Sequence, residues 1–573
     1  MSTDELIDLA RNGHAEIQED WMPATSVRPI IFDDPALVWL RYFGEANGFK
    51  PEGSPYDFLD FIAGKARQFE EKWIAELASA APVVCLQDYE VRSLGKVLET
   101  IGHLFAGVPV VAKPALWWGP ERVYGVPDLV VHTSWLEEKF PKLFSRYEKD
   151  SIAANLSSTG KPGHYVVFDI KFTTGLDGSD KKIHYANYSA QVRIYSYILG
   201  HLQGIMPRNA YLVTRDRLLD PLPVRITSSL GQPLDGDVAA IRDQFVEIKA
   251  HGSKYRPWRD GIVTSNLSND DERWGTAKNV IAREKFPGRD PALLYQVSPS
   301  IKRELSSLGF RSLDSLLAID PAKIPFEKCK GLGPKRSKVM RAILQANGVG
   351  KAIHPGAALV PPQRQYEFFV DFEYLTNLNV DFEKQWPTLE GREMVFMIGV
   401  GQIVGGRWSF RSFVASAENI DREREMFLQF IEHLNGQTEG NAADPSRTAL
   451  YHWTSAEVWQ ARRSSDRLAL ASSHPLRRLP WVDLQRPMLE GPAAFPEAWG
   501  YDLKEVANAL GKVRPDIGVK WPEGLDEGLR AMVMGWRAYT THEPLKSKEM
   551  AVLNTYLEID CMALLSVLKW LRS

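Results

Sequence analysis

Charged residues stand inside runs of this chain that are otherwise β-branched and aromatic. Y-V-V-F-D-I-K-F carries Asp169 and Lys171, and F-F-V-D-F-E-Y carries Asp371 and Glu373. A third run, V-Y-G-V-P-D-L-V-V, carries Asp128. Such runs read as strands, Val123–Val131 and Tyr165–Phe172 among them. A carboxylate embedded in an apolar strand is costly to desolvate and needs a reason. A divalent cation supplies that reason, because it offsets the charge that binds it.

The 573 residues are enough for roughly three or four domains at about 150 each. Composition is that of a globular protein, 44% apolar and 25% charged. No uninterrupted apolar run approaches the roughly 20 residues that span a bilayer, and M-S-T-D-E-L-I-D-L-A lacks a basic segment followed by an apolar one. No membrane association is expected. The three cysteines, Cys85, Cys329 and Cys561, are far apart, so neither a disulfide framework nor an iron–sulfur cluster is expected. A reducing cytoplasm is the natural location. The net charge of −3 neither advertises nor excludes nucleic-acid binding, since metal-binding acids cancel basic grooves in the sum.

The fold class read from the pattern is α/β and multidomain. Residues 1–80 are expected to be mostly helical, with Phe58, Phe61, Ile62, Phe69, Trp73 and Leu77 near helical spacing. Residues 81–265 alternate strand and helix signals, including a long helical pattern over Tyr185–Leu202 and a short strand over Ala210–Thr214. Residues 266–352 read as a helical connector, and Ile353–Pro362 as a linker. Residues 363–573 form a second α/β region. It contains a strand over Tyr366–Tyr374, a hairpin of Met394–Val404 and Arg407–Val414 turning at Gly405-Gly406, and a strand over Ala449–Trp453.

Asp169 and Lys171 are two apart, so both side chains face one side of their strand. Two carboxylates fix a metal, and a neighbouring lysine orients water or stabilises developing charge. Alone, D-x-K is an ordinary hairpin salt bridge. With a proline–aspartate strand about forty residues upstream, V-P-D…D-I-K resembles the PD-(D/E)XK nuclease superfamily, whose core is restriction-endonuclease-like. Gln191-x-x-x-Tyr195 on the next helix resembles the extra motif of the RecB-like branch, and Asn187 shares its face. The resemblance implies catalytic roles for Asp128, Asp169, Lys171, Gln191 and Tyr195, with Asp128 and Asp169 as metal ligands. It also implies an acid on an early helix. Glu70 in G-K-A-R-Q-F-E is the first choice and Glu90 the second, and Gln68 stands near where the family often has histidine.

Within the connector, K-C-K-G-L-G-P-K-R-S-K-V-M-R resembles a helix–hairpin–helix element. Gly331 and Gly333 would let backbone N–H groups face a phosphate, with Lys335, Arg336 and Lys338 beside them. A solvated basic helix is the alternative. G-L-G-P-K-R-S-K is not a G-x-x-x-x-G-K-[ST] loop, so no ATP site is expected.

Asp371-x-Glu373 near the start of the last region and Tyr556-x-x-x-Asp560 near its end resemble the DEDD 3′–5′ exonucleases of the RNase H-like fold. That family holds two metals on its acids, and its tyrosine helps to position water. The middle acid is Glu457 or Asp483. The whole order resembles bacterial and phage RecB-family nucleases. It implies Mg²⁺ or Mn²⁺ and a deoxyribonuclease acting on single strands or from ends, in repair, recombination or phage–host conflict. A helicase in trans would be a partner. The alternatives are a non-catalytic nucleic-acid-binding scaffold and an RNA-processing exonuclease.

Overall fold

The computed structural model describes residues 3–573 apart from 54–56, 81, 87–92, 157–161, 177–181, 228–233, 259–265, 268–271, 380, 383–385, 387–392 and 522–527. The chain divides into two compact units. The first comprises Met1–Pro51 with Ala63–Asp270, the second Glu52–Ile62 with Asp271–Ser573. Both are mixed α/β.

Among the described residues of the first unit, nine strands form two sheets. They are β1 (Met22–Pro23), β2 (Val83–Cys85), β3 (Val110–Ala112), β4 (Leu116–Trp118), β5 (Val123–Gly125), β6 (Leu129–His132), β7 (Tyr165–Lys171), β8 (Asn209–Thr214) and β9 (Leu222–Arg225). The larger sheet has the order β2-β3-β6-β7-β8-β9, and the smaller β1-β5-β4. β3, β6 and β7 are antiparallel in succession, whereas β2 is parallel to β3 and β8 is parallel to β7. A parallel neighbour needs a crossover, and the helix Lys182–Gln203 supplies it. β7 is buried from Tyr165 to Ile170, which explains its continuous apolar reading.

One expectation is corrected here. The run Val123–Val131 reads as a single strand but forms two, and they belong to different sheets. Pro127 lies at the break. It has a fixed φ and no N–H for a ladder, so the chain leaves one sheet and enters the other around it. Asp128 therefore sits just ahead of β6, not within a strand.

Among its described residues the second unit holds one sheet, built from β10 (Tyr366–Leu375), β11 (Met394–Val404), β12 (Arg407–Val414), β13 (Thr448–His452) and β14 (Trp481–Asp483), in the order β12-β11-β10-β13-β14. β10 pairs antiparallel with β11 and parallel with β13. Gly405 and Gly406 turn the β11–β12 hairpin at φ 55° and 78°, the left-handed pair a two-residue turn of this hand requires.

Residues read as connector and linker are integral to this unit. Leu305, Leu316, Phe326 and Met340 share one core with Phe369, Tyr451, Leu564 and Trp570. Asp290 and Lys302 form a fully buried ion pair at 2.6 Å. Ile353 exchanges two backbone hydrogen bonds with Ala494, and Arg572 donates to the carbonyls of Pro361 and Pro362. The segment 353–362 is thus tied at both ends rather than free.

The helix Lys548–Leu571 packs on β10 and β11. By length and composition it could cross a membrane, with a mean hydropathy of 1.5 over its most apolar window, and 56% of that window is buried inside the molecule. Glu549, Glu558 and Asp560 interrupt it, so it is not a continuous apolar run.

Candidate active sites

In the first unit, acids and lysines alternate around the end of β7. Asp128 accepts a hydrogen bond from the Ile170 backbone N–H at 2.6 Å on one oxygen, and from Lys113 Nζ at 3.0 Å on the other. The first contact ties the start of β6 to β7. Lys113 also pairs with Glu70, on the helix Phe58–Ala80, so one ammonium bridges two carboxylates. Its own backbone is held by a bond to the Asp128 carbonyl at 2.9 Å. Lys171 Nζ lies 2.6 Å from Asp169 Oδ2, which has no aligned hydrogen-bond donor. Lys171 also lies over the Tyr188 ring, 5.3 Å from its centroid. On the adjoining helix, Gln191 Nε2 donates to the Tyr195 hydroxyl at 2.9 Å, and Asn187, Gln191 and Tyr195 are all buried.

The electrostatics separate these carboxylates. Burial works against ionising Asp128, but Lys113, Lys171 and the Ile170 N–H together hold it below the usual range. Burial and the nearby Asp128 charge push Asp169 up to about 7, with Lys171 opposing. Glu70 is likewise pushed up to about 7 by burial and by Asp128. Lys171 stays protonated because Asp169 and Asp128 outweigh its desolvation. Glu90 lies outside the described residues, and Glu70 is the early acid seen beside Asp128.

Sequence reading missed Lys113. The signal was the one used for the acids, a lone charge in an apolar run, here V-P-V-V-A-K-P-A-L-W-W.

In the second unit, Asp371 and Glu373 project from β10, Glu457 from the first turn of the helix Ala456–Arg467, and Tyr556 and Asp560 from the helix Lys548–Leu571. Glu373, Glu457 and Asp560 are each less than a tenth exposed. Asp371 and Glu457 lie close enough for each to shift the ionisation of the other. Burial, then Glu457, pushes Asp371 up to about 8. Burial pushes Glu457 up to about 8, and burial with the Asp371 charge does the same to Asp560. Glu373 is raised well above its ordinary value by burial and by Asp371 and Asp560.

Among the described residues a cation, Lys504, faces this group. Lys504, on the helix Leu503–Val513, donates to the Tyr556 hydroxyl at 2.9 Å and lowers Asp371, Glu373 and Asp560. Trp521 Nε1 donates to Asp560 Oδ1 at 2.8 Å. Neither residue was read from sequence. Lys504 lies in an ordinary amphipathic helix, and only the fold brings it to the acids.

The two candidates for the middle acid part ways. Asp483 Oδ1 accepts the backbone N–H groups of Thr454, at 3.2 Å, and Gln485, at 2.8 Å, fastening a turn in which Thr454 adopts φ 64°. Glu457 instead joins Asp371. Its Oε2 has no aligned donor, although His452 Nδ1 lies 3.3 Å away. Burial pushes His452 down to about 4, so the ring is neutral at pH 7.

Among the described residues no three His, Cys, Asp or Glu side chains already surround a common point as metal ligands do. The donor set nonetheless suits a hard cation: carboxylate oxygens, with Glu457 Oε2 buried and lacking an aligned donor.

In the connector, Gly333 precedes the helix Pro334–Val349, with Pro334 in its first turn. Lys330, Lys335 and Lys338 are exposed. Arg336 folds back onto the Gly331 carbonyl at 3.1 Å. Arg341 is taken up by the carbonyls of Pro321 and Ile324 and by Glu327. The basic surface is therefore chiefly lysine. Comparison with family models, curated proteins and solved structures finds no match to this chain.

Proposed function

We propose that this chain is a metal-dependent nuclease that hydrolyses DNA phosphodiester bonds, on single strands or from ends, in the cytoplasm. The observation that carries this reading is the group formed by buried Glu373, Glu457 and Asp560 with half-buried Asp371, which among the described residues faces the ammonium of Lys504. So many buried acids destabilise a fold unless something of opposite charge joins them. Divalent cations of the Mg²⁺ or Mn²⁺ kind fit oxygen donors.

The arrangement of the sheets supports the finer reading. Antiparallel β3, β6 and β7, then a helix and a parallel β8, suit a PD-(D/E)XK core with its acids at β6 and β7. The order β12-β11-β10-β13-β14, with only β11 antiparallel to its two neighbours, suits an RNase H-like domain.

A bound cation would polarise the phosphate and acidify water. The protein's residues do the rest. In the second unit, Lys504 holds the Tyr556 hydroxyl in place beside Asp560, where it can orient a water. In the first, Lys171 keeps a full positive charge beside Asp169, available to a developing negative oxygen. The exposed lysines of the connector would hold backbone phosphates without reading sequence.

The test is direct. End-labelled single-stranded DNA, duplex DNA and RNA are offered to the protein with Mg²⁺ or Mn²⁺, alongside Asp371→Asn, Asp560→Asn and Lys171→Ala. Cleavage lost in the aspartate variants assigns the second site, and cleavage lost in Lys171→Ala assigns the first. Absence of cleavage by the parent protein on every substrate would sink the reading in favour of a binding scaffold.

A further inference from the structure

The helix Ala456–Arg467 has two unlike faces. Residues advance about 100° each around such a helix. Glu457, Gln460, Ala461 and Ser464 fall on one side and are buried. Ser455, Trp459, Arg462 and Arg463 fall on the other and are exposed. Trp459 is 58% exposed. Tryptophan is usually among the more buried residues, so a solvent-facing indole on the helix that carries a candidate catalytic acid invites a reason.

Its surroundings are cationic. The Arg463 guanidinium lies 5.0 Å from the Trp459 ring centroid and is steadied by Glu393 at 2.7 Å. Arg462 makes no ion pair among the described residues. Ser455 at the N-cap and Val458 on this helix line a cavity of about 640 Å³ that Arg364, Asp483, Arg486 and Glu490 also border, Arg486 being paired with Glu490. A solvent-facing aromatic ring with an arginine against it and a second exposed arginine on the same helix face is the chemistry that binds single-stranded nucleic acid. Every base has a face to stack, and every linkage carries a phosphate.

We infer that Trp459, with Arg462 and Arg463, is a base-stacking platform that holds a single-stranded nucleic acid next to the second acid group. This rests on the nuclease reading of that group. The platform would sit about half a helical turn from Glu457, and the strand would pass round the helix start at Ser455. Stacking on one indole tolerates any base, so the platform contributes affinity and alignment rather than sequence preference.

The experiment measures binding of a fluorescent single-stranded oligonucleotide by anisotropy, with Mg²⁺ present and Asp371→Asn as the background so that the strand stays intact. In that background Trp459→Ala is expected to weaken binding about tenfold or more, and Trp459→Tyr by no more than about threefold. Arg462→Ala should reduce the slope of log affinity against log salt by about 0.7. In the otherwise native protein Trp459→Ala should raise KM for a single-stranded substrate rather than lower kcat. Trp459→Ala matching its parent in both assays overturns the platform and leaves the nuclease reading intact. If the Asp371→Asn protein binds no oligonucleotide at all, the nuclease reading fails and the platform with it. Circular dichroism of each variant excludes misfolding as the cause.

Discussion

Gly125 lies directly beneath Tyr195. A methyl group added at Gly125 would come within 2.2 Å of the Tyr195 ring edge and 3.2 Å of Ala24. The glycine lets β5 approach the helix that carries Gln191 and Tyr195.

Gly125→Ala should therefore displace Tyr195 and loosen its bond from Gln191. Overpacking of this kind costs about 1–3 kcal/mol, to be read from urea denaturation. Nuclease activity that depends on Lys171 should fall as well. Unchanged stability together with unchanged activity would show that the ring has room to move.

The second acid group makes a pH-dependent stability that reverses the usual pattern. Asp371, Glu457 and Asp560 have ordinary values near 4 and folded values of about 8. Each holds its proton more tightly folded than unfolded. Their contribution is complete below about pH 4 and is lost as pH rises through about 8. Without divalent cations the melting temperature should fall from pH 5 to pH 8.5. Mg²⁺ should restore more of it at pH 8 than at pH 6, since protons and the cation compete for the same oxygens. Scanning fluorimetry with EDTA or Mg²⁺ reads both effects.

Neutralising one of these acids should separate stability from activity. Asp560→Asn is expected to raise metal-free stability at pH 8 by about 0.5–2 kcal/mol while abolishing cleavage at that site. A destabilised Asp560→Asn protein would mean that the Trp521 contact outweighs the repulsion.

Glu457→Gln and Asp483→Asn are expected to differ in kind. The first should remove metal-dependent cleavage with the fold intact. The second should cost about 1–2 kcal/mol through the Thr454–Gln485 turn and leave most cleavage in place. Comparable losses of activity in both variants would return Asp483 to the candidate site.

The buried pair of Asp290 and Lys302 should be sensitive to removal of one partner. Lys302→Ala leaves a desolvated carboxylate and is expected to destabilise the second unit by about 3–5 kcal/mol, measured by chemical denaturation.

Local signals made much of this architecture readable. The β11–β12 hairpin announced itself through Gly405-Gly406, the crossover helix through its period, and the acids through their apolar neighbours. What the sequence hid was decided by long-range packing. Nothing in V-Y-G-V-P-D-L-V-V says that its two halves join different sheets, although Pro127 offered a reason. Lys113 becomes meaningful only when β3 brings it between Glu70 and Asp128. Lys504 has no local mark at all, because its partner Tyr556 lies on a distant helix. The connector looked separable because its own helices are regular, yet its apolar faces are completed by β10, β13 and the helix Lys548–Leu571.

That last helix has a consequence for how the protein is made. Asp371 and Glu373 are synthesised early in the second unit, on β10, whereas Tyr556 and Asp560 arrive with one of its latest elements. Contacts between segments so far apart form slowly and late. A nascent chain interrupted before Lys548 carries only part of the acid group and no hydroxyl for Lys504 to hold. Completion of the group thus waits on a contact between segments far apart in the chain.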